Sequence, residues 1–207
     1  MAGPPAAGAA LVVLGDSVAE GRDDPAPAGG WLGWAGRLAR RLGVPPGDVL
    51  NVSDAGATIE DVVRDQLPAV RAARPRLAVL GCGMNDALNG FEPAAAGARL
   101  DEVHRWARDA GAGLLAIPVP RPPLLERSPI SQFRKKRVLQ RIALFNAELE
   151  RAAADFGMAF PARETVTKIA DPAMWSADGI HLSPAGHDYV AEVMAHLAAE
   201  PLGERAT

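Results

Sequence analysis

The sequence predicts an α/β fold in which one parallel β-sheet is covered by helices on both faces. Two observations carry this expectation. Short, continuously apolar runs, at residues 11–14, 49–52, 77–80 and 114–119 with a fifth at 158–160, read as buried strands of a sheet of about five. Longer stretches with helical periodicity separate them, and that alternation is the pattern of strand–helix–strand units.

Each helical stretch has its own signal. Residues 31–42 open with Trp31 and Trp34, three apart, which predicts use in core or helix packing. Residues 59–73 follow Thr58, with Asp61 placed to complete a cap; residues 93–110 form the third stretch. In residues 132–156, Val138, Ile142, Phe145 and Leu149 recur on one face. The last helix begins at Ser183-Pro184, a cap residue followed by proline in the first turn. The resulting division is a flexible tail over 1–10, one domain over 11–199 and a C-terminal tail over 200–207.

Composition narrows the function. With 207 residues, 48% hydrophobic and 23% charged, the chain suits a single core. A formal net charge of −3 gives no electrostatic footprint for nucleic acid. No apolar run reaches the roughly 18 residues of a membrane span. The N-terminus lacks the basic stretch of a signal peptide, which predicts a cytoplasmic protein. One cysteine, Cys82, forms no disulfide framework and reads as a small buried residue. His104, His187 and His196 have no metal-ligand spacing, so structural or surface roles and no metal or cofactor are expected. The basic run Arg134-Lys135-Lys136-Arg137 reads as a solvated helix face, with steering of an anionic group as the alternative.

Four short motifs follow strand ends or open the last helix. Gly15-Asp16-Ser17, with Gly21 beyond, ends the first strand and can expose a serine at the sheet edge; alone it reads equally as a turn. Gly56 follows the second strand, where a glycine lets a backbone N–H approach a ligand or simply permits a turn. Gly83-Met84-Asn85-Asp86 follows the third strand, and an Asn amide there can donate to a developing oxyanion, or cap a helix. Asp178-Gly179-Ile180-His181 precedes the last helix. A serine nucleophile needs a base and the base an acidic partner, and this turn can bring Asp178 to His181.

Together the blocks resemble those of the SGNH, or GDSL-type, serine esterases and lipases, with Ser17, Gly56, Asn85 and His181 in that family's order. The likeness runs over about residues 11–199. It implies a flavodoxin-like, three-layer α/β/α sandwich that hydrolyses esters without metal. It further implies Ser17 as nucleophile, His181 as general base and acid, and Asp178 as its orienter. The oxyanion hole would be formed by the Ser17 and Gly56 N–H groups and the Asn85 side chain.

The expected substrate is a small or medium acyl ester. Residues 118–131, rich in proline, follow the fourth strand, so Leu124, Leu125 and Ile130 are candidate acyl contacts or else pack the loop onto its own domain. Two other functions fit the same scaffold: an acyltransferase with an alcohol acceptor, and a non-catalytic binding protein.

Overall fold

The computed structural model describes residues 9–203, save the side chains of 163–166 and 200–203. Four strands form one sheet: β1 (Leu11–Gly15), β2 (Val49–Asn51), β3 (Leu77–Gly81) and β4 (Gly113–Ala116). They lie in the order β2-β1-β3-β4 and every pair is parallel. Helices α1 (Ser17–Glu20) and α2 (Gly33–Arg41) follow β1. After β2 come α3 (Ile59–Asp61) and α4 (Leu67–Val70), joined by a π-helical turn over Val62–Gln66. Then α5 (Met84–Asn89) and α6 (Pro93–Asp109) follow β3, and α7 (Leu124–Arg127), α8 (Gln132–Asp155) and α9 (Pro184–Gly203) follow β4.

Side chains alternate between the sheet's faces, and each face buries its own cluster. Leu11, Val13, Leu77, Val79 and Leu115 pack with Trp34 and Leu38 of α2 and Met194 of α9. Val12, Leu14, Ala78, Leu80 and Leu114 pack with Ile59, Val62, Leu100 and Phe145 on the other side. The result is the three-layer sandwich expected from the sequence. Thr58 and Asp61 form the anticipated capping box, and the Ser183 Oγ accepts from the Gly186 N–H at the start of α9.

The fifth strand does not form. Residues 158–160 adopt no ladder, and Pro161 behind them has no N–H to donate. The β4 ladder is itself short. Ile117 N–H still donates to Leu80 O, but Pro118 and Pro120 lack donors, and Asn146 takes both backbone groups of Val119 at 2.8 and 2.9 Å. Two helical expectations also change. Trp31 precedes α2 and is exposed, whereas Trp34 is fully buried. The stretch 59–73 ends at Val70 and is broken by the π-turn; Pro68 in it cannot supply the N–H of an unbroken α-helix.

At the ends, Ala9 is buried and Ala10 N–H donates to Asp48 O, so the fold already includes residues placed in the N-terminal tail. Helix α9 runs past residue 199 to Gly203. The rest of the expected tails, 1–8 and 204–207, lies outside the described residues.

The chain leaves β1 toward β2, then crosses back past β1 to reach β3. The carboxyl ends of β1 and β3, paired at Gly15 and Gly81, therefore flank the reversal in winding, where the flanking loops diverge and open a crevice.

Candidate active site

Ser17 stands at this crevice because β1 turns directly into α1. Gly15 has φ 145° and lies so close to β3 that a Cβ there would meet Gly81 O at 2.0 Å. Asp16 N–H donates to Gly81 O, and its carboxylate caps α1 by accepting from the Val18 N–H. Ser17 is thus the first residue of α1, held between the strand and the short helix.

The last turn before α9 supplies the partners. Trp175 and Leu182 form a small antiparallel bridge, and Ser176 N–H donates to His181 O at 2.9 Å. Within it, one oxygen of Asp178 accepts from the N–H groups of Ile180 and His181 at 2.9 and 3.0 Å. Its second oxygen lies 2.5 Å from His181 Nδ1, and His181 Nε2 lies 2.8 Å from Ser17 Oγ. With Nδ1–H donating to the Asp178 carboxylate, Nε2 is free to accept the Ser17 hydroxyl proton. Burial pushes the Asp178 carboxyl up, but its hydrogen bonds from Ile180, His181 N–H and the His181 ring outweigh that and leave it below the usual carboxylate range.

Asn85 lies near the start of α5, beyond Gly83. Its Nδ2 donates to Ala57 O at 3.1 Å and lies 3.5 Å from Asp16 Oδ2, which ties α5 to the loop carrying Gly56. Gly56 has φ 88°, with open space where a side chain would stand. Gly83 is crowded instead: a Cβ there would lie 2.3 Å from the Phe145 ring.

The structure places the three loop candidates differently from one another. Leu125 is buried in the core beside α8, Ile130 packs against that core, and Leu124 N–H donates to Gly179 O at 2.9 Å. The loop thereby braces the Asp178–His181 turn.

Three buried polar residues near the site were given no role by the sequence: Gln66 lies outside every motif, and Asp16 and Asp86 lie within two of them. Gln66, from the π-turn, accepts from Gly15 N–H and donates to Gly15 O. Asp86 accepts from Ile59 N–H and joins α5 to α3. Asp16 was visible only as part of a turn tripeptide. Burial raises its carboxyl from 3.8 to about 7, against the pull of bonds from Val18 and Ala19 N–H; burial likewise takes Asp86 to about 6.

Of the remaining candidates, His187 and His104 are buried and hydrogen-bonded within the fold. His187 accepts from Trp34 N–H at Nδ1 and donates from Nε2 to Arg22 O, fixing α9 to α2. His104 bonds Leu100 O inside α6, and His196 bonds Glu192 O on α9. Cys82 is buried, which pushes its thiol well above the ordinary range and away from nucleophilic use. Of the basic run, Arg134, Lys136 and Arg137 are exposed, while Lys135 donates to Glu126 O. Ligand atoms of Asp23, Asp178 and His181 lie within 4.8 Å of one another. A cation there would compete with Ser17 and Asp178 for the same imidazole nitrogens.

A serine, histidine and aspartate linked in this way, at the switch point of a parallel sheet, form an arrangement that can activate a hydroxyl for attack on a carbonyl. The chain belongs to the GDSL-like lipase/acylhydrolase family, whose pattern matches residues 13–189. Its fold is shared by TesA, at 24% identity and TM-score 0.71 over 92% of this chain and 98% of that one. It is shared too by a lipase/acylhydrolase from Enterococcus faecalis, at 18% identity and TM-score 0.66 over 92% and 96% of the two chains. A third such structure is an Axe2 catalytic mutant, an acetylxylan esterase from Geobacillus stearothermophilus, at 18% identity and TM-score 0.67 over 91% and 93%. Curated protein sequences yield no match. Among the described residues, no helix is long and apolar enough to cross a membrane.

Proposed function

We propose that the protein is a carboxylic-ester hydrolase that works through an acyl-enzyme on Ser17. The observation that carries this reading is the Ser17–His181–Asp178 chain, with Oγ–Nε2 at 2.8 Å and Nδ1–Oδ2 at 2.5 Å. Ser17 Oγ attacks the ester carbonyl carbon while His181 Nε2 takes the hydroxyl proton. The resulting oxyanion is held by the Ser17 and Gly56 N–H groups and the Asn85 amide. Collapse breaks the bond to the alcohol oxygen, which leaves with the proton from His181. Water then repeats the sequence, losing its proton to His181 and releasing the acid. Asp178 keeps the imidazole in the tautomer that both halves need.

The substrate class is a small-molecule acyl ester, and no cofactor enters any step. The test is hydrolysis of p-nitrophenyl acetate and hexanoate by the wild type and by Ser17→Ala, each with and without added alcohol. Activity in water that falls by roughly 10⁴ in a folded Ser17→Ala supports the reading. Retention of most activity in the variant overturns Ser17 as nucleophile, and turnover only with alcohol makes the protein an acyltransferase.

A further inference from the structure

Where β4 ends without a fifth strand, the space beside it is open. A chamber of about 630 Å³ lies there, between α8 and α9, within the range of about 300–1,000 Å³ that holds small ligands. Leu139 and Ile142 of α8 form one wall, Val190, Val193 and Met194 of α9 the other, and Ile117 belongs to the sheet end. Asn146, in the same lining, already commits its amide to Val119, so it adds little polarity.

One feature connects the chamber to the catalytic residues. Its lining includes Asp16 and Val18, the neighbours of Ser17, and Ile180 and Leu182, the neighbours of His181. On α8 it is bordered by Ala143 and Ala147, exposed positions four apart where larger side chains would reduce the space.

We infer that this chamber receives the acyl chain of a medium-chain ester, octanoyl to dodecanoyl, attached to Ser17. The inference rests on the acyl-enzyme reading above and names its substrate. Apolar walls that shed water on contact with methylene groups favour such a chain over a sugar or a charged head group. An acetyl group is too short to use the space, so chain length separates the chamber's contribution from that of the catalytic residues.

The experiment has two arms. In the first, kcat/KM is measured for p-nitrophenyl decanoate and acetate with the wild type, Ala143→Phe and Ala147→Phe, with thermal unfolding as a check on each variant. The expected result is a decanoate-to-acetate ratio that falls roughly tenfold or more in at least one folded variant. An unchanged ratio in both overturns the chamber as the acyl site. In the second, decanoate is titrated into the wild type, Ala147→Phe and the milder Ala147→Val while tryptophan fluorescence is followed, because Trp34 and Trp175 line the chamber. Saturable binding weakened in the variants supports the chamber; absent binding, or binding equal in all three, overturns it. If the wild type cleaves no ester of any length, the hydrolase reading has failed, and the decanoate arm alone decides the chamber.

Discussion

The side chain of Gln66 holds Gly15 by both of its backbone groups, accepting from the N–H and donating to the C=O at 2.8 Å each. Gly15 lies two residues before Ser17, and Gln66 comes from the π-turn between α3 and α4. The helix packed on one face of the sheet thus fixes the strand end from which the serine departs. Gly15 O also accepts from Asp54 N–H, so loss of Gln66 orphans chiefly the Gly15 N–H.

Gln66→Leu should therefore cost roughly 1–3 kcal/mol in denaturant unfolding, the penalty of one unpaired buried group. It should also lower kcat about tenfold with little change in KM, because the strand end that sets the Ser17 position relaxes. Unaltered kcat in a destabilised but folded variant would confine Gln66 to stability.

Asn85→Ala tests the oxyanion assignment. One Nδ2 bond goes to Ala57 O, and the contact with Asp16 is long, which leaves the amide able to donate to a third acceptor. A donor aimed at charge present only in the tetrahedral intermediate acts on kcat, and its loss should cost on the order of 10²–10³ with KM nearly constant. A rise in KM at constant kcat would make Asn85 a tether of the Gly56 loop alone.

Much of this was legible in the residues, for physical reasons. Buried parallel strands must be apolar throughout, so residues 11–14 and 77–80 could hardly be anything else. The Thr58–Asp61 and Ser183-Pro184 signals are local hydrogen-bond chemistry, readable within four residues. The fifth strand failed because an apolar triplet does not reveal whether a neighbour will pair with it; Pro118, Pro120 and the Asn146 clamp on Val119 shorten β4 from a distance. Asp178 and His181 share a turn and could be paired on sight, whereas Gln66 acts across 51 positions with no local pattern. Leu124 and Leu125 show the reverse: the loop was legible as apolar, but its role in bracing Gly179 depends on a contact 55 residues away.

Asp178→Asn should abolish most activity while sparing the fold. The oxygen that accepts from Ile180 and His181 N–H can be retained by asparagine, so the turn persists. The group facing His181 Nδ1 then becomes NH₂, a donor, and the ring must carry its proton on Nε2. That nitrogen can no longer accept from Ser17. A fall in kcat/KM of roughly 10³–10⁴ is expected, with a folded circular dichroism spectrum. A loss of less than tenfold would remove Asp178 from the triad.

Stability should depend on pH through the two buried carboxyls behind the site. Asp16 is raised from 3.8 to about 7 and Asp86 from 3.8 to about 6, in both cases chiefly by burial. Between those limits the folded chain binds more protons than the unfolded one, so unfolding free energy falls as pH rises. The contribution is complete below about 3.8 and is lost once pH passes about 7. Asp178 has the opposite sign: its depressed carboxyl stabilises the fold above the unfolded value and ceases to do so in acid. Urea unfolding from pH 4.5 to 8 should therefore show a decline across pH 5 to 7. Asp16→Asn keeps an acceptor for Val18 N–H without an ionisable proton, so its profile should be flatter and it should gain on the wild type by a few kcal/mol at pH 8. Parallel curves for the two proteins would mean that Asp16 is ionised across the whole range, its charge held by the Val18 and Ala19 N–H groups.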